Sequence, residues 1–308
     1  MQEIYDVIII GGGPAGYTAG LYGVRAGLKV LLIEKVYAGG QRALSHQVDN
    51  YPGFEDGIDG FTLAQNMKNQ AEKFGLISMF DEVVSVELTS KTKKVQTLSQ
   101  DFLSSAVIIA TGANPKELGL ENEQAFTGKG VHYCASCDGM FYRGKNVVIV
   151  GGGDTALSES ILLSRIAKTV TIIHRRGEFR GSKVYEDTIS KTENITVLYD
   201  SKVEKLLGED KLKGIIVNNL KSGESTNLDC DAVFVCIGRK PTTELFKDQI
   251  SLNDGGYIIA GEDTKTNIDG VFAVGDVRTK ALRQVVTAVS DGAVAIHYVE
   301  NLLSNVGN

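Results

Sequence analysis

Two cysteines separated by two residues and followed by an acid, Cys134-Ala-Ser-Cys137-Asp138, form the most reactive constellation in this sequence. The spacing permits a small disulfide ring, and a C-x-x-C setting commonly lowers one thiol's pKa enough to supply a thiolate near neutral pH. Asp138 stands beside the pair, where it is placed to shuttle the proton that disulfide exchange moves. Two glycine-rich runs carry a second kind of chemistry, Gly11-x-Gly13-x-x-Gly16 and Gly151-x-Gly153-x-x-Ala156. In such a run the first glycine permits a tight turn, the second lets backbone approach a pyrophosphate, and the third position allows close helix packing. The anion then rests on the unbonded N–H groups and positive dipole end of the following helix.

The two runs lead to residues of opposite charge. The first leads to an acid, Glu34, at the end of the next apolar stretch, suited to accept hydrogen bonds from ribose hydroxyls. The second leads to His174-Arg175-Arg176 with Arg180 close behind. Guanidinium groups pair with phosphate through a fixed fork, so this cluster favours the 2'-phosphate of NADPH over the bare hydroxyl of NADH. A solvated basic loop and an ordinary tight turn are the bland alternatives, and the strand-end positions weigh against both. Two dinucleotide sites of opposite preference imply electron transfer between two cofactors, with a flavin dinucleotide in one and an exchangeable nicotinamide in the other. The cysteine pair is then the acceptor. A zinc site using Cys230 and Cys236 is the competing use of the thiols. Structural zinc favours two closely spaced pairs on turns, whereas these two flank an apolar strand and read as core thiols. His132 and His297 read as structural, and no Gly-x-Ser-x-Gly run signals a hydrolase.

The elements that must position these groups are visible as well. Ile4–Ile10 is a nearly continuous apolar run, the pattern of a parallel strand buried on both faces, and it runs straight into the first glycine turn. A helix over residues 17–26, a stop at Gly27 and a strand over residues 29–33 complete a βαβ unit. The same syntax recurs as a strand over residues 147–150, a helix reaching about residue 167, and a strand at Thr169–Ile173. Each unit is followed downstream by an apolar strand ending in a small turn, residues 106–112 and 232–238. After Lys240-Pro241 the pattern shifts to Gly255-Gly256-Tyr257, Gly275-Asp276 and a helix over residues 285–303. The expected fold class is α/β, with two Rossmann-like FAD/NAD(P)-binding domains, the NADPH domain inserted into the FAD domain. The expected spans are 1–115 and 244–308 for the FAD-binding part and 116–243 for the NADPH-binding part with the cysteine pair, the crossings falling near Pro115 and Pro241.

Bulk properties narrow the partners. A chain of 308 residues, 43% hydrophobic and 23% charged, has an ordinary globular composition with room for two cores. No apolar run approaches the roughly 20 residues that span a bilayer, and Glu3 and Asp6 lie where a signal peptide would be positive. The expectation is a cytoplasmic protein with no membrane partner. A net charge of −6 gives no general attraction to nucleic acid. Four cysteines are too few for a disulfide-stapled secreted fold.

Taken together, Gly11-Gly-Gly-Pro14-Ala15-Gly16, Gly39-Gly40-Gln41, Asn50-Tyr-Pro-Gly-Phe54, Ala110-Thr111-Gly112, the cysteine motif through Gly139, Gly151-Gly-Gly153-Asp154-Thr155-Ala156, His174-Arg-Arg176, Gly275-Asp276 and Arg283-Gln284 resemble the low-molecular-weight, bacterial-type thioredoxin reductases over essentially the whole chain. The resemblance implies a homodimer that reduces thioredoxin, or a thioredoxin-like small dithiol protein, with NADPH through FAD. It implies FAD contacts from Gly11, Gly13, Pro14, Ala15, Gly16, Glu34, Gly40, Gln41, Asn50, Thr111, Gly112, Gly275, Asp276, Arg283 and Gln284. Asp276 would serve the ribityl or pyrophosphate region, and Arg283 and Gln284 would lie near the isoalloxazine ring. NADPH contacts are implied for Gly151, Gly153, Asp154, Thr155, Ala156, His174, Arg175, Arg176 and Arg180, with Cys134, Cys137 and Asp138 as the catalytic set. The family's inserted domain swings between two orientations. The chain departs from the family at residues 42–46, where a threonine-rich stretch is usual, and at Leu282, where an aromatic is usual. A related flavin reductase serving a peroxiredoxin, a glutaredoxin-like protein or a ferredoxin-linked system is the alternative.

Overall fold

The fold was obtained as a computed structural model, which describes residues 3–40 and 47–306. The chain divides into two compact units, one made of residues 1–114 and 240–308, the other of residues 115–239.

The first unit begins with β1 (Ile4–Ile10), α1 (Pro14–Arg25) and β2 (Val30–Glu34). The helix starts three residues before the sequence pattern suggests, because Pro14 takes the first helical position, where its missing N–H removes no hydrogen bond. Next come α2 (Gly60–Lys73), β3 (Ile77–Phe80), β4 (Val83–Glu87), β5 (Lys93–Thr97) and β6 (Asp101–Ile109). Asp59 caps α2 by accepting from Thr62 N–H at 2.8 Å. The chain leaves this unit through β7 (Ala113–Pro115).

The second unit holds α3 (Glu123–Phe126), β8 (Val131–His132), α4 (Ala135–Asp138), β9 (Asn146–Val150), α5 (Asp154–Ser164), β10 (Thr169–Ile173), α6 (Lys183–Ser190) and β11 (Ile195–Leu198). An antiparallel meander comes next, β12 (Ser201–Gly208), β13 (Leu212–Asn219) and β14 (Ser225–Asp229), and then β15 (Ala232–Val235). The chain returns through β16 (Arg239–Pro241), which pairs with β7, and the first unit closes with β17 (Val271–Ala273) and α7 (Val285–Val306).

Both units rest on the same parallel arrangement. In the first the strands run β3-β2-β1-β6. The far edge of β6 is shared: residues 101–104 pair antiparallel with β5, and residues 107–109 pair parallel with β17. In the second the order is β11-β10-β9-β15-β8, all parallel. The register sets Ile10 beside Ile33 and Ile109, and Val150 beside Ile173 and Val235. Each glycine turn therefore leaves the sheet at a common edge where neighbouring strands also end.

The apolar runs on β1 and β9 are explained by burial on both faces. Ile8, Ile10, Leu31 and Ile109 pack on one side of the first sheet. Val7, Ile9, Leu32 and Ile108 pack on the other, against α1 and α7. A side chain at Gly292 would run into the Ala15 carbonyl, so this glycine lets α7 lie directly on α1. In the second unit Val148, Val150 and Val233 face the meander, while Val147, Ile149 and Phe234 face α5. Among the described residues no helix is long and apolar enough to cross a membrane.

Candidate functional site

In the first unit the glycine turn is the focus on which the predicted residues converge. Gly11 has φ +110, a conformation that favours glycine, and a Cβ on it would stand 2.5 Å from the Ala110 carbonyl oxygen, just before Thr111. Gly16 faces the Gly11 carbonyl so closely that no side chain fits. Gly12 N–H donates to Glu34 Oε2 at 2.6 Å, and its carbonyl accepts from Gly39 N–H at 2.7 Å. The Cα of Gly13 lies next to Gly40, and Ala15 next to Gly275. Glu34, Gly39-Gly40, Ala110-Thr111 and Gly275 thus ring the N-terminus of α1, which has no side-chain cap. Over Gly13 there is open space, with nothing within 4 Å of where a Cβ would stand. Open space above an uncapped helix start, flanked by a strand-end carboxylate, is the cradle that a dinucleotide pyrophosphate and ribose require.

The remaining first-unit residues are held nearby by their own bonds. Thr111 Oγ1 donates to the Thr242 carbonyl at 2.7 Å, and Gly112 O accepts from Thr242 N–H at 3.0 Å. Asn50 Nδ2 donates to Gln284 Oε1 at 3.2 Å. Arg283 lies 4.1 Å over the Tyr257 ring and donates to the carbonyls of Asp276 and Arg278. Gln41 and residues 42–46 lie outside the described residues, and Leu282 is exposed.

Sequence reasoning missed what holds the Gly275-Asp276 turn. Asp291, buried on α7, accepts from Gly275 N–H at 2.8 Å, from Arg278 Nε and Nη2 at 2.9 and 2.8 Å, and from Lys280 Nζ at 2.8 Å. Burial by itself would raise the Asp291 carboxyl, but hydrogen bonds from Arg278 and Lys280 outweigh it and hold the group below the usual carboxylate range.

The second glycine turn repeats the first. A Cβ on Gly151 would meet Ala156 and the Cys236 carbonyl, and α5 also starts without a side-chain cap, with open space over Gly153. Asp154 Oδ1 accepts from Ser182 N–H at 2.7 Å, and Gly152 O accepts from Arg180 N–H at 2.7 Å. The Arg180 segment is thereby drawn to the helix start beside Asp154 and exposed Thr155. Arg175, Arg176 and Arg180 are exposed. His174 is set apart from them: it is buried, packed over Gly152, with Nε2 lacking a hydrogen-bond partner. Burial, reinforced by the three arginines, lowers its pKa and keeps the ring neutral.

Cys134 and Cys137 form a disulfide with 5.3 Å between their Cα atoms. Cys134 is extended at the start of α4, and Cys137 lies within that single turn. Behind the pair, Asp138 Oδ2 lies 3.2 Å from His132 Nδ1, whose Nε2 lies 2.7 Å from Tyr142 Oη. Beneath it, Glu159 of α5 accepts from the Ala135 N–H and, at 2.8 Å, from the Cys236 thiol. Burial raises the Glu159 carboxyl and pushes the Cys236 thiol well above its usual range. Cys230 packs on the opposite face of the sheet, its thiol pushed by burial up to about 12. The four cysteines therefore do not converge.

Of the residues that sequence reasoning passed over here, Glu159 had a signal. It falls three residues after Ala156 and four before Leu163, both fully buried, and so lies on the inward face of α5. Tyr142 had none.

The family described as Pyridine nucleotide-disulphide oxidoreductase matches residues 5–292. The chain is 42% identical over 306 residues to a thioredoxin reductase of Peptoclostridium acidaminophilum, covering 97% of both chains. It is 45% identical over 307 residues to one of Streptomyces clavuligerus, covering 99% of this chain and 95% of that protein. The crystal structure of thioredoxin reductase from Streptococcus pyogenes MGAS5005 superposes with a TM-score of 0.93 at 39% identity, covering 99% of this chain and 100% of that one. With the family matched over residues 5–292 and these relatives aligned over nearly their whole length, the chain belongs to the pyridine nucleotide-disulphide oxidoreductase family, in its low-molecular-weight thioredoxin reductase branch.

Proposed function

We propose that this protein is an FAD-dependent oxidoreductase that uses NADPH to reduce the disulfide of thioredoxin through Cys134 and Cys137. The observation that carries the reading is the Cys134–Cys137 disulfide, set at the edge of the second parallel sheet with Asp138 bonded behind it. In the net reaction NADPH and a proton are consumed, the partner's disulfide accepts two electrons and two protons, and NADP⁺ and a dithiol are released. Bound FAD supplies two-electron transfer between a nicotinamide hydride and a disulfide.

The unit made of both chain ends is assigned to FAD, and the inserted unit to NADPH. Gly13, Pro14, Ala15 and Gly16 present the helix start to the pyrophosphate, Glu34 accepts from ribose hydroxyls, and Asp276, Arg283, Gln284 and Asn50 orient the flavin end. Gly11, Gly40, Gln41, Thr111, Gly112 and Gly275 complete the cradle. In the inserted unit Gly151, Gly153, Asp154, Thr155 and Ala156 take the nicotinamide dinucleotide's pyrophosphate. Arg175, Arg176 and Arg180 take its 2'-phosphate as charged, exposed forks. His174 serves by packing, since its neutral ring supports the Gly152 backbone. Asp138 gives and takes the proton at the cysteine pair. The protein works as a cytoplasmic homodimer.

Anaerobic titration with NADPH, followed by thiol counting and by turnover with thioredoxin, tests the reading. The yellow protein should bleach and gain the thiols of Cys134 and Cys137. Cys134→Ser and Cys137→Ser should each abolish thioredoxin reduction, and replacing Arg175, Arg176 and Arg180 together should erase the preference for NADPH over NADH. Thioredoxin reduction by either cysteine variant, or inertness of the intact protein to both nicotinamides, refutes it.

A further inference from the structure

His132, read from the sequence as a structural residue, has a hydrogen-bond partner at each ring nitrogen, one of them Asp138, the residue after Cys137. It ends β8, is 7% exposed, and lies opposite Phe234 of β15 in register, with the two rings stacked at 5.4 Å. Tyr142 meets its edge at 5.2 Å. The stack and the edge contact fix the plane of the buried imidazole, and within that plane the hydrogen bonds set Nδ1 toward Asp138 Oδ2 and Nε2 toward Tyr142 Oη.

The donors and acceptors in this line can be satisfied in two ways. With Asp138 charged, His132 Nδ1–H donates to Oδ2 and the Tyr142 hydroxyl donates to Nε2. With one more proton on the pair, Asp138 or His132 carries it. The hydrogen between Oδ2 and Nδ1 is retained, Nε2–H now donates, and the Tyr142 oxygen accepts. Tyr142 serves both arrangements because it stays a neutral phenol: burial first, then the Asp138 and Asp231 carboxylates, push its pKa up to about 12. The other charged or titratable groups facing the pair are Glu159, which is electrostatically coupled to Asp138, and Arg239 beside Glu159. Both ring nitrogens of His132 therefore keep a hydrogen bond in either arrangement, one to Asp138 and one to Tyr142.

We propose that His132 is the positioning residue for Asp138, and that with Tyr142 it keeps an exchangeable proton at the Cys134–Cys137 pair. The inference rests on the function proposed above and deepens it. In the exchange, the Cys134–Cys137 dithiol is oxidised and the partner's disulfide is reduced. The partner's S–S bond breaks, the bond between Cys134 and Cys137 re-forms, and the two protons of this dithiol end on the partner's two sulfurs. Asp138 carries one of them, and His132 holds the carboxylate in place while it does.

The test uses the FAD-loaded enzyme with NADPH and a bacterial thioredoxin, comparing wild type, His132→Phe, His132→Gln, Asp138→Asn and the double variant His132→Phe/Asp138→Asn. His132→Phe keeps the ring stack and loses both hydrogen bonds, and should lower kcat about tenfold with little change in KM. His132→Gln, whose amide can still donate to Asp138, should recover part of that loss. The double variant should be no slower than Asp138→Asn alone, because the histidine acts through the aspartate. A second readout, the rate at which dithiothreitol opens the disulfide by thiol count, needs neither cofactor nor thioredoxin and should rank the variants in the same order. Slowing by Asp138→Asn without slowing by His132→Phe overturns this inference and leaves the proposed function standing. So does a double-variant loss equal to the full product of the single losses. If thioredoxin is not reduced by wild type, the proposed function fails, and the dithiothreitol rates still decide the role of His132: equality of His132→Phe with wild type there overturns it.

Discussion

Replacing Asp291 by Asn would show how far the Gly275-Asp276 turn depends on one buried charge. The carboxylate side chain is 8% exposed and faces two cations whose side chains are 3% and 6% exposed, Arg278 in a two-bond fork and Lys280 at 2.8 Å. Glu262 and Asp263 offset the excess positive charge at longer range. The asparagine would keep the volume but lose the charge, and its amide hydrogens would confront guanidinium and ammonium donors. Removing one partner of a buried ion pair costs about 3–5 kcal/mol, since the charge left behind stays desolvated. With a urea m-value of about 3 kcal/mol/M, the unfolding midpoint of the first unit should fall by about 1–1.7 M. The measurement needs free FAD at one fixed concentration, because a ligand that binds only the native state shifts the midpoint by itself. Lys280→Met is the control: it removes one cation and spares the Arg278 fork, so about 1–3 kcal/mol should be lost. Because the folded Asp291 pKa is depressed, its contribution is complete above the unfolded value of about 3.9 and fades only as pH falls through the folded value. The gap between wild type and Asp291→Asn should therefore hold from neutral pH down to about pH 4 and close below it. A midpoint shift under about 0.3 M, or a larger loss from Lys280→Met than from Asp291→Asn, would refute the reasoning.

Two further outcomes test the cradle and the thiols. Gly13 has φ −80 and open space around its missing Cβ, so Gly13→Ala should leave the apoprotein's stability within about 1 kcal/mol of wild type while weakening FAD binding at least about tenfold. Equal FAD affinity, read by fluorescence titration, would place the pyrophosphate elsewhere. Cys230, its thiol raised by burial to about 12, and Cys236, its thiol raised by burial well above the usual range, should resist an aromatic disulfide reagent in the native protein at about pH 8 and react once it is unfolded. Rapid native labelling that disappears in Cys236→Ala would contradict the Glu159 hydrogen bond.

Much of this protein is legible in residue order because its signals are local. The glycine turns, the apolar strands before them and the acid or arginines after them lie within about 30 residues in each unit, and a βαβ unit of that length has few ways to fold. The cysteine pair is three residues apart and carries its chemistry with it. The meander β12–β14 was less legible. Its alternation is broken by a register shift between Val203 and Lys205, which disturbs the period-two pattern.

Residue order does not show which side chains meet across long loops. Glu159 and Cys236 are 77 residues apart, and Asn50 and Gln284 are 234 apart. No local period encodes such pairs, since each partner's own segment would form equally well without the other. His132 is the instructive case. Its nearness to the cysteines is plain in the sequence, but its role depends on Phe234 and Tyr142 fixing the plane of its ring toward Asp138. That choice was made by packing in a close-filled interior.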